Sequence, residues 1–152
     1  IADGKLTCGK VSENKILLKN KVAGFQRVTF DAATNDKRPC DLSTFIHSGP
    51  EAVDCGYFLQ FGGSGNTFNS LRRNGVFTLC TCKQQFIEPG KTHKIVAEFD
   101  GAAARLTVDG VLILEYLDAA PLHGQGHDQL GFCIWTSGTI DNVRVYQANP
   151  GK

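Results

Sequence analysis

The stretch THKIVAEFDGAAARLTVDGVLILEY at residues 92–116 decides the fold of this chain. Apolar and polar residues alternate along 94–99 and again along 105–108, which is the period of a β-strand with one buried face. Asp100-Gly101 and Asp109-Gly110 separate these segments and lead into a third apolar run. Asp-Gly favours a two-residue type I′ turn, because both central residues of that turn need positive φ. The stretch therefore predicts three antiparallel strands joined by two hairpins.

Short segments of the same kind lie on both sides of this stretch. Asn74-Gly75 separates 68–73 from 76–82 and predicts another antiparallel hairpin. No long segment carries a convincing helical stripe, although residues 12–21 could form one or two helical turns. The other predicted strands, rich in β-branched and aromatic residues, are 25–30, 42–46, 57–61, 130–135 and the run that ends at Tyr146. Together these segments predict roughly ten or eleven strands.

A sheet without helices to cover it must bury its apolar face against a second sheet. The 152 residues are enough for one such domain, which we expect to span 1–152. Many antiparallel strands at regular spacing predict an all-β fold, an antiparallel two-sheet jelly-roll sandwich. Closing the chain on itself in this fold would place strands near the two termini side by side.

Composition and charge argue against two classes of partner. The 16 basic and 15 acidic residues leave a net charge of +1, which is too small a field to hold nucleic acid. The longest apolar runs, such as VLIL at 111–114, are far too short to cross a bilayer, so no membrane insertion is expected. The chain begins at Ile1 and contains no methionine, which predicts a processed product or an excised domain, secreted or at the cell surface.

Six cysteines in a small domain, with no C-x-x-C pair, favour disulfides over a zinc site. Cys80 and Cys82 would lie on one strand face about 6.5 to 7 Å apart, at or beyond the usual Cα separation of a disulfide, so we expect them not to bond each other. Cys8 with Cys133 would link the first and penultimate strands, which leaves Cys40 and Cys55 for each other or for the Cys80/Cys82 pair. In a cytosolic protein, all six would instead be small buried apolar residues.

The last third of the chain contains an ordered series of short motifs: Gly90, His93 and Ile95; Val108-Asp109-Gly110; Pro121, Leu122 and Gly124; Gly131-Phe132; and Ile140 through Tyr146. In this order the motifs resemble the concanavalin A-like lectin/glucanase (laminin G-like) superfamily, and GYFLQFGGSGNTFNSLRRNG at 56–75 is similar to domains of the same superfamily. The resemblance implies a concanavalin A-like sandwich, a fold that serves carbohydrate-binding modules, lectins, glycoside hydrolases, polysaccharide lyases and adhesive domains.

The residues between Phe58 and Arg73 are the candidate ligand-binding site. Amide and guanidinium groups alternate there with aromatic rings, and sugars are held by planar polar side chains together with aromatic faces. The alternative is that this stretch only forms central strands and that Trp135, the single tryptophan, is a core residue. The candidate ligand-binding residues are Phe58, Gln60, Asn66, Asn69, Arg72, Arg73 and Trp135.

These residues support three functional hypotheses. The first is a carbohydrate-binding or adhesion domain without catalytic activity, whose partner is a glycan or polysaccharide. The second is a glycoside hydrolase or polysaccharide lyase, although the tight E-x-D-x-E cluster of the glucanases is absent from the sequence. The third is a structural subunit of an extracellular assembly that self-associates through exposed strand edges.

Metal binding has two candidate locations. The superfamily resemblance implies a Ca²⁺ site, for which Asp141 and Asn142 are the first residues to test, against the alternative that they cap the turn into the last strand. His123, His127 and Asp128 lie together in a glycine-rich loop, where their spacing is only suggestive of a metal site. The glycine-rich segment 62–65 predicts a flexible loop rather than a phosphate-binding one.

Overall fold

A computed structural model describes residues 4–9, 14–49 and 55–148. These residues form twelve strands and one short helical segment. In chain order they are β1 Leu6–Cys8, β2 Asn14–Leu17, β3 Phe25–Ala33, β4 Leu42–Ser48, β5 Tyr57–Gly62, α1 Gly63–Asn66, β6 Phe68–Arg73, β7 Phe77–Cys82, β8 Thr92–Phe99, β9 Ala103–Val108, β10 Val111–Leu117, β11 Gln129–Ile134 and β12 Gly138–Ala148.

The strands form two six-stranded antiparallel sheets that pack face to face. The first sheet has the order β1-β12-β3-β8-β9-β10, and the second has the order β2-β11-β4-β5-β6-β7. The predicted two-sheet jelly-roll sandwich is therefore confirmed. The expected pairing of strands near the two termini is also confirmed, because Leu6 in β1 pairs with Ile140 in β12.

The predicted three-stranded meander is β8-β9-β10. Asp109 and Gly110 have φ values of 51° and 83°, as a type I′ turn requires. The other corner differs from the prediction, because only Gly101 has positive φ there and the loop holds three residues, 100–102. The Asp100 carboxylate accepts hydrogen bonds from the backbone N–H groups of Ala102 and Ala103, which stabilises the longer loop.

The helical alternative for residues 12–21 is wrong where the structure describes them. Asn14–Leu17 is strand β2, because it pairs with β11 in the register Leu17 to Gly131 and Asn14 to Ile134. Residues 12 and 13 lie outside the described part of the chain. The segment 62–65, expected to be a loop, contains most of α1, in which Ser64 and Gly65 have positive φ.

The main core lies between the two sheets and follows the period-two pattern. Val28 and Phe30 of β3 pack with Leu59 of β5 and Phe132 of β11, and the rings of Phe30 and Phe132 meet edge to face at 5.0 Å. A second, smaller apolar cluster lies on the outer face of the second sheet and consists of Phe45, Phe58 and Cys133. The outer face of the second sheet is therefore partly buried as well.

The six cysteines are free thiols. Cys8 belongs to the core between the sheets, whereas Cys133 belongs to the cluster on the outer face of the second sheet. The expected Cys8 to Cys133 bridge is therefore not formed, since the two thiols lie on opposite faces of that sheet. Cys80 and Cys82 do not bond each other, as expected, but the predicted bridges of Cys40 and Cys55, to each other or to the Cys80/Cys82 pair, are not formed either.

The helical content of the described residues is confined to α1, and none of it has the length or apolar character needed to cross a membrane. Strands β7 and β10 end the two sheets on one side of the sandwich. Several apolar side chains near these edges are exposed: Val76, Phe77, Leu112 and Leu117.

Candidate ligand-binding site

A chain of hydrogen bonds crosses the outer face of the second sheet, and Gln60 of β5 is its centre. The side chain of Gln60 is only 5% exposed. Its Nε2 donates to Asp41 Oδ1 at 2.6 Å, and its Oε1 accepts from Ser70 Oγ at 2.7 Å and from Arg72 Nη2 at 3.1 Å. These partners orient the amide, with the nitrogen towards the carboxylate and the oxygen towards the guanidinium.

Asp41 forms the buried end of this chain, just before β4. Besides Gln60, Ser43 Oγ donates to its Oδ1 at 3.2 Å and the Cys40 thiol donates to its Oδ2 at 3.3 Å. Burial raises the pKa of the Asp41 carboxyl, although its three hydrogen-bond donors and the Arg72 charge act in the opposite direction. The backbone of Asp41 has a φ of 54°, a conformation that Asp and Asn tolerate better than most residues.

Arg72 of β6 forms the half-exposed end of the chain. Its Nε donates to Ser70 Oγ at 3.3 Å, and its Nη2 donates to the Gln60 amide oxygen. Two hydrogen bonds to buried neighbours hold the guanidinium plane in one orientation. The side chain therefore reaches the surface already ordered, which lowers the entropy that a ligand must overcome on binding.

The short α1 segment covers Gln60. A side chain at Gly63 would collide with the Gln60 amide, so only glycine permits this close approach. Asn66 holds the other end of α1, because its Nδ2 donates to the Ile87 carbonyl and its Oδ1 accepts from the Ile87 N–H, both at 2.9 Å. Asn66 thus ties α1 to the loop before β8, and its amide atoms are used in doing so.

Two more of the expected ligand-binding residues lie away from the outer face. Asn69 is fully buried; it accepts from the Gly62 N–H and donates to the carbonyls of Gln84 and Gln85 at 2.7 and 3.0 Å. Arg73 pairs with Asp118 at 3.4 Å and donates to the Ala120 carbonyl. Alternation along β6 explains this separation, because Ser70 and Arg72 face outwards while Asn69, Leu71 and Arg73 point the other way.

These contacts predict that Asn69→Ala weakens the fold rather than the site. Three side-chain hydrogen bonds are lost, one buried and two partly buried, so we expect the free energy of unfolding to fall by about 2 kcal/mol. Chemical denaturation of Asn69→Ala and of the control Asn20→Ala, whose side chain is exposed, measures this difference. Equal stability of the two variants would contradict the role given to Asn69.

Aromatic groups accompany the polar chain on the same face. Phe58 stacks on Phe45 with ring centroids 4.5 Å apart and is the cross-strand neighbour of Arg72. Trp135 is the first residue after β11 and is 42% exposed, so the alternative that it is a core residue is wrong. Cys133 lies on the outer face, and we expect Trp135, two residues later and just past the end of β11, on the same side by alternation.

The structure therefore brings together Phe58, Gln60 and Arg72, but adds residues that the sequence did not single out. Asp41, Ser43 and Ser70 complete the hydrogen-bonded chain. Asp41 lies 19 residues before Gln60 and therefore outside the candidate stretch from Phe58 to Arg73. Its one local signal was an acidic residue directly before a strand of otherwise apolar and hydroxyl side chains.

Asp41 is the one carboxyl within this hydrogen-bonded chain, and its partners in the described structure are thiol, hydroxyl and amide groups. Glycoside hydrolysis by the common route needs two carboxyls on either side of the scissile bond. The hydrogen-bonded chain of described residues contains one carboxyl and does not by itself provide such a pair.

The residues expected to bind Ca²⁺ are engaged in protein contacts. Asp141 Oδ1 accepts the backbone N–H of Asn142 and its Oδ2 lies 3.5 Å from Lys5 Nζ, while Asn142 Nδ2 donates to Asp31 Oδ2. Asn142 lies where the β12–β3 register shifts, with a φ of 52°. Within the described ranges, no three His, Cys, Asp or Glu side chains gather as a metal site would require. Calcium binding at Asp141 and Asn142 stays a prediction.

The histidine-rich loop is likewise tied to the protein. His127 Nδ1 lies 3.0 Å from the His47 carbonyl oxygen, and Asp128 pairs with Lys21 at 2.7 Å. These contacts fasten the loop before β11 to β4 and to the segment before β3. They provide no shared cation position for the two side chains.

No protein-family profile and no curated protein sequence matches this chain. Solved structures do match. The carbohydrate binding module CBM66 from Bacillus subtilis aligns with a TM-score of 0.71 over 95% of this chain and 96% of that one, at 15% identity. A Bacillus subtilis protein of unknown function with a galectin-like fold aligns with a TM-score of 0.74 at 14% identity, over 94% of this chain and 81% of that one.

The exoplasmic/lumenal domain of VIP36, in its Ca²⁺/Man3GlcNAc-bound form, aligns with a TM-score of 0.73 over all of this chain and 82% of that one, at 9% identity. The chain has the concanavalin A-like lectin fold. At such low identities the comparisons establish this fold alone, because unrelated functions share it. What a concanavalin A-like sandwich binds must be argued from its own side chains.

Proposed function

We propose that this protein is a carbohydrate-binding or adhesion domain without catalytic activity, and that it binds a glycan on the outer face of the second sheet. The observation that carries the proposal is the ordered Asp41-Gln60-Ser70-Arg72 chain, which ends in a guanidinium fixed at the surface. Preorganised polar groups of this kind fix the position and orientation of sugar hydroxyls.

Trp135 supplies the apolar part of the proposed site. Sugar rings present a face of C–H groups that packs on an aromatic plane, and Trp135 is a large, half-exposed aromatic on this side of the molecule. Strands β11 and β6 are separated by β4 and β5, and Trp135 lies about four residues further along the strands than Arg72, so at the usual spacings the two are roughly 20 Å apart. This width favours an oligosaccharide over a single sugar.

A secreted or cell-surface location belongs to the same proposal. The matched structures include a carbohydrate binding module and an exoplasmic/lumenal domain in a Man3GlcNAc-bound form, which supports this location. The lack of disulfides in the structure neither requires nor excludes that location.

Trp135→Ala tests the proposal against a matched aromatic on the other sheet. The control is Tyr146→Ala, since Tyr146 is 48% exposed and is the cross-strand neighbour of Arg27 on the first sheet. We expect a glycan array to identify a ligand and Trp135→Ala to weaken its binding by about tenfold or more, the equivalent of one lost aromatic contact. Tyr146→Ala should bind like the natural chain.

Two results would overturn this assignment. If no glycan binds saturably, the proposed function is wrong. If binding is lost in Tyr146→Ala and kept in Trp135→Ala, the ligand occupies the first sheet instead.

A further inference from the structure

Among the arginines of the described residues, Arg38, Arg72 and Arg144 have no described carboxylate within ion-pair distance, and of these three only Arg72 is partly buried. Arg27 lies 3.1 Å from Glu98, Arg73 lies 3.4 Å from Asp118, and Arg105 contacts both Asp100 and Glu115. Arg72 instead donates to a hydroxyl and an amide oxygen, and no carboxylate of the described residues lies within ion-pair distance of it. A half-buried cation is thus held by neutral acceptors.

The neighbours of Arg72 do not supply the missing negative charge. Its cross-strand partners are Phe58 on β5 and Thr78 on β7, both uncharged. The nearest carboxyl along the hydrogen-bonded chain is Asp41, and the Gln60 amide stands between the two. Burial also raises the pKa of Asp41, which disfavours its charged form.

The hydrogen bonds that Arg72 does make leave a defined part of the guanidinium available. Nε is engaged by Ser70 and one Nη2 hydrogen by Gln60, while Nη1 makes no hydrogen bond to a described residue. The Nη1 and Nη2 hydrogens that remain form the end-on fork that binds a carboxylate through two parallel hydrogen bonds. Because the plane is already fixed, this fork is preorganised.

We infer that the ligand of this face is an acidic glycan, whose sugar carboxylate binds end-on to Arg72. The inference rests on the proposed function and names its substrate class. An anion at this position compensates a charge that the fold leaves without a carboxylate partner, and a charge-assisted bidentate pair is stronger than neutral hydrogen bonds. Sugar hydroxyls alone would leave that charge uncompensated.

The test compares each acidic polymer with its own neutral form. Polygalacturonate, alginate and hyaluronan, each with a methyl-esterified counterpart, keep the linkage and change only the carboxylate. We expect at least one acidic polymer to bind about tenfold or more tightly than its ester, since one charge-assisted bidentate contact is lost in the ester. Isothermal titration at two salt concentrations measures the affinities.

Three variants distinguish recognition by the planar guanidinium of Arg72 from general attraction to positive charge. Arg72→Gln should remove the preference for the acid over the ester, and Arg72→Lys should keep only part of it, because an ammonium lacks the planar fork. Arg144→Gln is the matched control, since Arg144 is an exposed arginine of the first sheet and its loss changes net charge equally. The melting temperature of each variant is measured first, so that the folded protein is what is titrated.

Each outcome decides between the two proposals. If acid and ester bind equally and Trp135→Ala weakens both, the protein binds glycan at this face and the inference about charge is wrong. If Arg144→Gln loses as much affinity as Arg72→Gln, the attraction is general electrostatics and the inference is again wrong. If none of the polymers and none of the neutral glycans on an array binds, the proposed function fails as well.

Discussion

Gln60→Leu is expected to lower the free energy of unfolding by about 3 kcal/mol, because the cost of unpaired buried polar groups far exceeds the gain from an added apolar side chain. Leucine has a similar volume but none of the three hydrogen bonds that Gln60 makes to Asp41, Ser70 and Arg72. Asp41 would keep its burial and lose its closest donor. Urea denaturation of this variant measures the effect, and Gln125→Leu, at an exposed position, is the control.

A double-mutant cycle shows whether the Asp41 carboxylate is responsible for the loss of stability in Gln60→Leu. Asp41→Asn preserves shape and tolerates the positive φ of this position, while it replaces the carboxyl that accepts the Gln60 hydrogen bond by a neutral amide. We therefore expect the combined Asp41→Asn, Gln60→Leu variant to be more stable than the sum of the single losses predicts. If the two losses of stability simply add, the Asp41 and Gln60 side chains are not coupled, and their hydrogen bond does not have the central role given to it here.

The sequence predicts local strand pairing well in this protein, and long-range order poorly. Strands β8, β9 and β10 follow one another along the chain and pair through short turns, so the alternation and the Asp-Gly corners contain the information needed. Closure of the fold predicts the pairing of β12 with β1, but the pairing of β12 with β3 has no such local signal, because it joins residues more than a hundred positions apart. That pairing follows only from burying both sheets in one core.

The candidate site shows the same limit at the level of single side chains. The donor groups of residues 58–73 predict a binding site in this stretch, but a strand presents only every second residue to one face. Gln60 and Arg72 meet because Gln60 pairs with Ser70 in the β5–β6 register. Asn69 and Arg73 have the opposite parity and point away from this face. Parity within each strand could have been inferred from the apolar residues, whereas the register between the strands could not.

His47 explains why the fold should respond to mild acid. Its ring is only 1% exposed and packs against Phe99 with centroids 4.4 Å apart. Neither ring nitrogen makes a hydrogen bond of regular geometry to a described residue, although backbone groups of Gly24 and Leu122 lie near the ring. The pKa of His47 is lowered from 6.5 to about 4, chiefly by burial and also by the nearby His127 and His123, while backbone groups of Gly24 and Leu122 act in the opposite direction. The folded protein therefore holds this histidine neutral.

We expect the free energy of unfolding to decrease as the pH falls from about 6.5 towards 4, by up to about 3 kcal/mol in all. In this window the unfolded chain takes up a proton at His47 and the folded chain does not, so the unfolded state gains stability. Chemical denaturation at a series of pH values between 7 and 4.5 measures the slope. Carboxylates with lowered pKa values, such as Asp100 at about 2, lose their contribution mainly below this range.

His47→Asn is the matched variant, because asparagine does not titrate in this range and tolerates the φ of 52° at this position. The variant should be less stable at pH 7, owing to the lost ring packing against Phe99 and Tyr57, but its stability should change much less with pH. The decisive quantity is therefore the slope of the free energy of unfolding against pH, and not the stability at any one pH. An unchanged slope in His47→Asn would assign the acid sensitivity to other groups and would remove His47 from this account.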